Sequence, residues 1–193
     1  MPKRFKPVVN GNRFYVQGRI AYEHLMRPYK GEQSEQEQYS CCVIIPGDDT
    51  DSIQAVEQAV KAAKTKAIAE KWGGREPYQM QLPLRDGHEP RKDGSPRGPE
   101  FQGNKFFNAK SNRKVPVQNR DKAPIMNESE VYSGMWAIVC CTVFSFDKSG
   151  NRGLSIGLEA VLKTADDEAF GGGLGDRAFD DIQIPDEDVP DII

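Results

Sequence analysis

The sequence predicts a mainly β protein, namely a small antiparallel barrel with one inserted α-helix and a flexible acidic C-terminal tail. Three observations support this prediction: several segments alternate apolar and polar residues, a single segment carries a helical apolar stripe, and acidic residues concentrate beyond residue 163. We therefore expect one domain in residues 1–163 and a tail in residues 164–193.

The first strand is predicted over residues 13–22 and the second over 39–45, where Pro46 and Gly47 end it. Period-two alternation gives the first strand an apolar face and a polar face. The predicted apolar face holds Phe14, Val16, Ile20 and Tyr22, and the polar face holds Arg13, Tyr15, Gln17 and Arg19.

A hairpin gives the strongest β signal. Residues 135–146 form its outgoing strand, residues 147–151 its turn and residues 153–162 its return strand. We expect Ala137, Val139, Cys141 and Val143 on one face of the outgoing strand, and Leu154, Ile156, Leu158, Ala160 and Leu162 on one face of the return strand.

The helix is predicted over residues 51–72, with Asp51 as its N-cap and the Gly73-Gly74 pair after its end. Apolar residues spaced three or four apart form its inward stripe. Residues 83–103 contain eight Gly or Pro in 21 positions and show no periodicity. This segment is therefore predicted to be a long mobile loop.

The net charge of −3 conceals a strong asymmetry along the chain. Residues 164–193 carry ten acids and one base, a charge of −9, which leaves the other 163 residues at +6. A basic body with an acidic tail differs from a uniformly acidic protein, whose charge would disfavour nucleic acid.

Several function classes are disfavoured by the sequence. No apolar run is long enough to cross a bilayer and the N-terminus lacks the apolar region of a secretory signal, so we expect a cytoplasmic protein without a membrane partner. The Cys41-Cys42 and Cys140-Cys141 pairs lack metal-ligand spacing and are expected to be reduced thiols. Residues 153–157 match Gly-x-Ser-x-Gly, but no histidine follows them, so we expect no hydrolase. We predict no catalytic residue, metal or cofactor.

Basic residues interleave with aromatic residues between Phe101 and Lys122, where six bases accompany one acid. Such a surface suits single-stranded nucleic acid, since bases pair with phosphates and rings stack on nucleobases. The alternative is that the phenylalanines belong to the core and the lysines to an ordinary solvated face. The tail favours the first interpretation, because a tethered polyanion can compete for a basic groove.

The chain resembles the short single-stranded DNA-binding proteins of tailed bacteriophages. The resemblance rests on five stretches that lie within residues 101–193: Phe106-Phe107-Asn108-Ala109-Lys110-Ser111, Val131-Tyr132-Ser133-Gly134-Met135-Trp136, Phe146-Asp147-Lys148-Ser149-Gly150-Asn151-Arg152-Gly153, Gly153-Leu154-Ser155-Ile156-Gly157-Leu158-Glu159-Ala160-Val161, and Phe170-Gly171-Gly172-Gly173 before the acidic tail.

This resemblance implies an oligonucleotide-binding (OB) fold, sequence-independent binding of single-stranded DNA, and a role in phage DNA replication or recombination. It also implies a tail that contacts replication or recombination proteins, and a homodimer in the host cell cytoplasm. A protein-interaction module or DNA-mimic inhibitor that binds no DNA is the main alternative, and a metal-dependent nuclease is a lesser one.

Two groups of site residues are predicted. The expected DNA-binding residues are Arg13, Tyr15, Arg19, Lys105, Phe107, Lys110, Arg113, Lys114 and Trp136. The expected partner-binding, DNA-competing tail residues are Asp180, Asp181, Asp186, Glu187, Asp188, Asp191, Ile192 and Ile193.

Overall fold

The computed structural model describes residues 2–31, 36–78, 80–148 and 151–171. It contains one α-helix, eight strands and two 3-10 turns in this part of the chain. In chain order they are β1 (Val8–Asn10), β2 (Arg13–Tyr29), β3 (Gln38–Ile45), α1 (Thr50–Glu70), β4 (Arg85–Asp86), a 3-10 turn (Pro99–Phe101), β5 (Lys105–Ser111), β6 (Val117–Gln118), a 3-10 turn (Glu128–Glu130), β7 (Trp136–Lys148) and β8 (Asn151–Ala165).

Five of the strands close into a barrel. They follow one another in the order β5, β3, β2, β7 and β8, all antiparallel, and β5 then pairs with β8 in parallel. The short strands β1, β4 and β6 extend the sheet beside β2, β5 and β8. The predicted barrel with one helix is confirmed.

The barrel interior is filled with apolar side chains from each of the five barrel strands, as strand alternation predicts. Phe14 of β2 and Phe107 of β5 are fully buried, and their rings meet edge to face with centroids 5.5 Å apart. Val56 and Ala59 of α1 belong to the same cluster, so the helix covers the barrel rather than standing apart from it. The four inward residues predicted for the outgoing hairpin strand are all fully buried: Ala137, Val139, Cys141 and Val143.

The N-cap of the helix lies two residues before the predicted one. Asp49, not Asp51, caps it, since the Asp49 carboxylate accepts a hydrogen bond of 3.2 Å from the Ser52 backbone N–H. Asp51 lies in the first turn, where its charge still favours the positive end of the helix dipole. The helix ends at Glu70, and Trp72, which was predicted to be helical, follows it as a buried residue.

Two irregularities in pairing change the predicted faces of the strands. Tyr22 has a φ of +47°, and the register of β2 with β3 shifts between Ala21 and His24, so Tyr22 is 52% exposed instead of buried with Ile20. A second shift, opposite Cys140 and Cys141, moves Val161 into the interior in place of the predicted Ala160 and Leu162. Each extra residue reverses the side to which the following residues point.

The segment 83–103, predicted as a mobile loop, has structure of its own. β4 pairs with β5, the Gly87 N–H donates to the Asn104 carbonyl at 2.9 Å, and Phe101 is fully buried. A side chain at Gly87 would overlap the Phe101 carbonyl oxygen at 1.7 Å, so only glycine permits this close approach. The segment is therefore packed against the barrel.

All four cysteines are free thiols, and Cys41, Cys42 and Cys141 are buried. Burial raises the pKa of the Cys42 thiol to about 12. In the described part of the chain, no helix is both long and apolar enough to span a bilayer.

Replacing Phe107 by Ala should lower the free energy of unfolding by about 3–5 kcal/mol, because it removes a fully buried ring and leaves a cavity beside Phe14. Urea denaturation followed by circular dichroism measures the change. Met126→Ala, at a position that is 84% exposed, is the control and should change stability by less than about 0.5 kcal/mol. A loss below about 1 kcal/mol for Phe107→Ala would contradict its place in the core.

Candidate nucleic-acid interface

The outward side chains of β2, β3 and β5 form a continuous surface, which we call the front face. The strand registers place them in rows, because directly paired residues point to the same side of a sheet. The rows are Arg19, Ile44, Phe106 and Arg85; then Ala21, Cys42 and Asn108; then His24, Ser40 and Lys110.

Exposed aromatic side chains stand at one end of the front face. Tyr22 is 52% exposed and Tyr29 is 53% exposed, and the His24 and Tyr29 rings stack with centroids 4.6 Å apart. These rings line a cavity of about 310 Å³ together with Asn108 and Lys110. The cavity floor is β3, so rings and an ammonium group surround an open cleft.

The segment 83–103 covers the apolar first row of the front face. Phe101 packs on Phe106 with centroids 5.1 Å apart, and the Arg97 guanidinium lies 4.4 Å from the centroid of the Phe106 ring. Tyr22 stacks on Phe101, and the Arg91 Nη2 donates to the Tyr22 hydroxyl at 3.2 Å. The segment thus buries phenylalanines and presents arginines beside Tyr22.

Two acids of segment 83–103, Asp86 and Glu89, are paired with bases. Lys105 Nζ lies 2.8 Å from Asp86, and this hydrogen bond lowers the pKa of the carboxyl. Arg85 pairs with Glu89 at 2.8 Å. Burial lowers the pKa of the Arg97 guanidinium, which shows that this cation has given up part of its hydration.

Only part of the predicted DNA-binding set lies on the front face. Lys110 is exposed there and lines the cleft. Lys105 starts β5 on the same side as Phe107, so it lies off the front face, where it pairs with Asp86. Arg113 and Lys114 are exposed just beyond the end of β5.

The two rings proposed as stacking platforms are not exposed. Phe107 points into the barrel and is fully buried, because alternation along β5 puts it on the opposite side from Lys110. Trp136 is 5% exposed, and its Nε1 donates to the Asp167 carboxylate at 2.7 Å. The prediction that either ring stacks on bases is therefore wrong for this conformation.

The predicted residues of the first strand lie elsewhere on the barrel surface. Arg13 and Tyr15 pair with β7, not β3, and Arg13 forms an ion pair of 3.0 Å with Glu159. Tyr15 lies beside Cys140. Arg19 is at the border of the front face, but its guanidinium donates to the carbonyl oxygens of Gly134 and Glu168 at 3.0 and 2.5 Å.

Residues 166–170, predicted to belong to the tail, contact the barrel and are called the strap here. Tyr132 and Lys163 both donate to the Asp166 carboxylate, at 2.9 and 2.7 Å. The Phe170 ring lies 4.1 Å beneath the Arg19 guanidinium and packs against the apolar first row of the front face. The predicted tail residues from Asp180 to Ile193 lie outside the described residues.

Gly134 gives the strap its close approach to the barrel. Its φ is +119°, and an added Cβ would lie 2.3 Å from the Glu168 carbonyl oxygen. Both the conformation and the lack of space require glycine at this position.

Sequence reasoning missed Tyr22, His24, Tyr29, Arg91 and Arg97. Tyr22 was expected inside because alternation cannot reveal a bulge. The arginines were visible as bases in a Gly/Pro-rich segment, and composition alone does not place such a segment against a sheet. Among the described residues, no group of three or more His, Cys, Asp or Glu side chains could hold a metal ion.

A family model described as the ssDNA-binding protein of Enterobacter phage Enc34 matches residues 8–191. The chain belongs to this family. Comparison with curated protein sequences gives no match.

Solved structures of this Enc34 family and of a second phage protein share the fold. The single-stranded DNA-binding protein from bacteriophage Enc34 in complex with ssDNA matches with a TM-score of 0.71 and 23% identity, over 89% of this chain and 98% of that chain. A structure of the Enc34 protein described without ssDNA gives 0.69 and 23%, over 92% and 98%. The bacteriophage T7 protein gp2.5, also a single-stranded DNA-binding protein, gives 0.60 and 17%, over 89% and 94%. The barrel is thus an OB fold, as the resemblance implied.

Asp167→Asn should destabilise the Enc34-family barrel by about 1 kcal/mol at pH 7, because it weakens the charged hydrogen bond from Trp136. That bond lowers the pKa of Asp167 below its usual 3.8. A lowered native pKa stabilises the fold above the unfolded pKa, and the stabilisation is lost as the pH falls through the native pKa.

Urea titrations of wild type and variant at several pH values measure this difference, which should vanish in acid. In a Trp136→Phe background the Asp167→Asn substitution should have a smaller effect, since the indole donor is gone and the 3.7 Å ion pair with Arg19 remains. Additive losses would show that the two side chains do not interact.

Proposed function

We propose that the chain binds single-stranded DNA without sequence preference, through its front face and without catalysis. The Enc34 relative is described in complex with ssDNA, and its structure and this one share the OB fold. The outer surface of the two neighbouring barrel strands β3 and β5 is where OB folds bind oligonucleotides.

The observation that carries the proposal is the pair of half-exposed tyrosines beside Lys110. Tyr22 and Tyr29 offer flat faces to unstacked bases, and every base has such a face, so stacking does not select a sequence. Lys110 and Arg91 supply positive charge for the phosphates that connect these bases. A DNA mimic would instead display acids on this face.

The acidic tail is proposed to compete with DNA for the front face and to contact replication or recombination proteins. Two observations support this proposal. The tail is acidic, and the strap holds the start of the tail beside Arg19 through Phe170. Residues 172–193 hold seven acids and one base. A role in phage DNA replication or recombination, a homodimer and a host-cytoplasmic location follow from the same resemblance and stay predictions.

Tyr22→Ala and Lys110→Ala should weaken binding in distinguishable ways. Losing one stacked base costs about 1–3 kcal/mol, or about 5- to 150-fold in affinity, and should leave the salt dependence unchanged. Losing one phosphate contact should flatten the slope of log affinity against log salt by about 0.7. Fluorescence anisotropy of labelled oligothymidylate across a salt series, in chelator, measures both quantities.

Lys66→Ala, an exposed change on α1, is the matched control and should behave as wild type. Equal affinities for wild type, Tyr22→Ala and Lys110→Ala would remove the front face from the site. Divalent-dependent cleavage of the oligonucleotide would instead favour a nuclease.

A chain ending at Gly173 should bind single-stranded DNA more tightly than the full chain, most strongly at low salt. The deletion removes seven acids and one base that compete for the same cations. The same anisotropy titration measures the effect, and a full-length chain with the seven acids changed to Asn or Gln should reproduce it. Unchanged affinity at low salt would exclude competition by the tail.

A further inference from the structure

Phe144 is an exposed aromatic side chain that lies outside the front face. It is 43% exposed on β7, whereas its neighbours along the strand, Val143 and Cys141, are fully buried. A half-exposed ring on a strand surface leaves apolar area in contact with water, and a ligand that covers this area gains hydrophobic free energy. The residues around Phe144 indicate which kind of ligand would cover the ring.

The strand register connects Phe144 to the third row of the front face. Lys110 pairs with Gly157 of β8, and Gly157 pairs on its other side with Thr142 of β7. The row therefore continues from His24 and Ser40 through Lys110 and Gly157 to β7.

The Phe144 ring lies over Gly157, the β8 residue that pairs with Lys110. The ring atom Cε1 would lie 3.6 Å from a Cβ at position 157, and because that position is glycine, β8 places no side chain at this point of the row. Adjacent strands are about 4.8 Å apart, so β5 and β7 are separated by about 10 Å at this row. A cation on β5 and an exposed ring on β7 thus lie on the same outer surface, with Gly157 of β8 between their strands.

We propose that Phe144 is an additional base-stacking position, reached by a single strand that leaves the Tyr22–Tyr29 cleft and passes Lys110. This inference rests on the proposed function and adds a defined direction to it, from β2 across β3, β5 and β8 to β7. The chemistry is that of the tyrosines, a π face for the base with a cation beside it for the phosphate. It extends the path to the opposite end of the row from Tyr29.

Because Phe144 lies outside the Tyr22–Tyr29 cleft, its contribution to affinity should depend on the length of the oligonucleotide. A short oligonucleotide can occupy the Tyr22–Tyr29 cleft without reaching β7, whereas a longer one covers both. The ratio of the Phe144→Ala dissociation constant to that of wild type should be near one for the shortest oligothymidylate that wild type binds. It should rise to about 5- to 150-fold as length increases across the range of about 4 to about 16 nucleotides that OB folds cover.

Two substitutions at the same position separate stacking from packing. Phe144→Trp should retain binding of the long oligonucleotide, and Phe144→Leu should lose it as Phe144→Ala does, since Leu keeps apolar bulk without a π face. Met126→Ala, an exposed apolar control outside the row, should leave every affinity unchanged. Thermal unfolding of each variant verifies that the barrel is intact.

A ratio of one at every length overturns the proposal, as does an equally large ratio at every length, because the ring would then act on the central cleft. Wild-type affinity in Phe144→Leu assigns the ring to packing and also overturns it. If wild type binds and Tyr22→Ala weakens binding while Phe144→Ala does not, this inference alone fails. If wild type binds no oligonucleotide, the proposed function fails with it.

Discussion

The parallel pairing of β5 with β8 is the contact on which the rest of the structure depends, because it closes the barrel. Once the barrel is closed and its interior filled, a ligand can bind only to the outside. The side to which a residue points then decides its role. Ala109 and Ile156 pair inside this seam, and Lys110 and Gly157 pair outside it. One step along β5 therefore separates a core residue from a residue that can meet a phosphate.

The front face is built by covering some of its apolar surface and leaving the rest open. Phe106, Ile44 and Cys42 would be exposed if segment 83–103 did not lie on them through Phe101. The same segment carries Arg91 and Arg97, so covering the apolar row also brings cations to it. What stays open is the tyrosine end, where the bulge at Tyr22 turns that ring outward. A bulge at the margin of a binding surface commonly re-aims a side chain in this way.

Alternation and helical spacing were sufficient to predict the barrel, its helix and most of its core, because both signals come from local geometry. They failed where the backbone departs from regular geometry. The bulges at Tyr22 and at Cys140–Cys141 invert the faces of β2 and β8, and no residue type marks either one. Composition also placed Phe107 among the interface rings. A count of bases and rings does not show whether a side chain points into the barrel or out of it. The Gly and Pro residues of segment 83–103 correctly indicated a segment without regular periodicity. A segment without periodicity can nevertheless pack against the barrel, as this one does.

The strap determines where the acidic tail starts relative to the basic body of the protein. Asp166 is bound to Tyr132 and Lys163, and Asp167 to Trp136, so these two acids act as anchors rather than as free charge. In the proposed competition, the charge of residues 172–193 is tethered at Gly171, next to Phe170, which packs on the first row of the front face. Effective concentration depends on the length and stiffness of the tether relative to the distance to its target. On this proposal the strap sets how strongly the tail competes, and a tail of equal charge attached at the far end of the barrel would compete less.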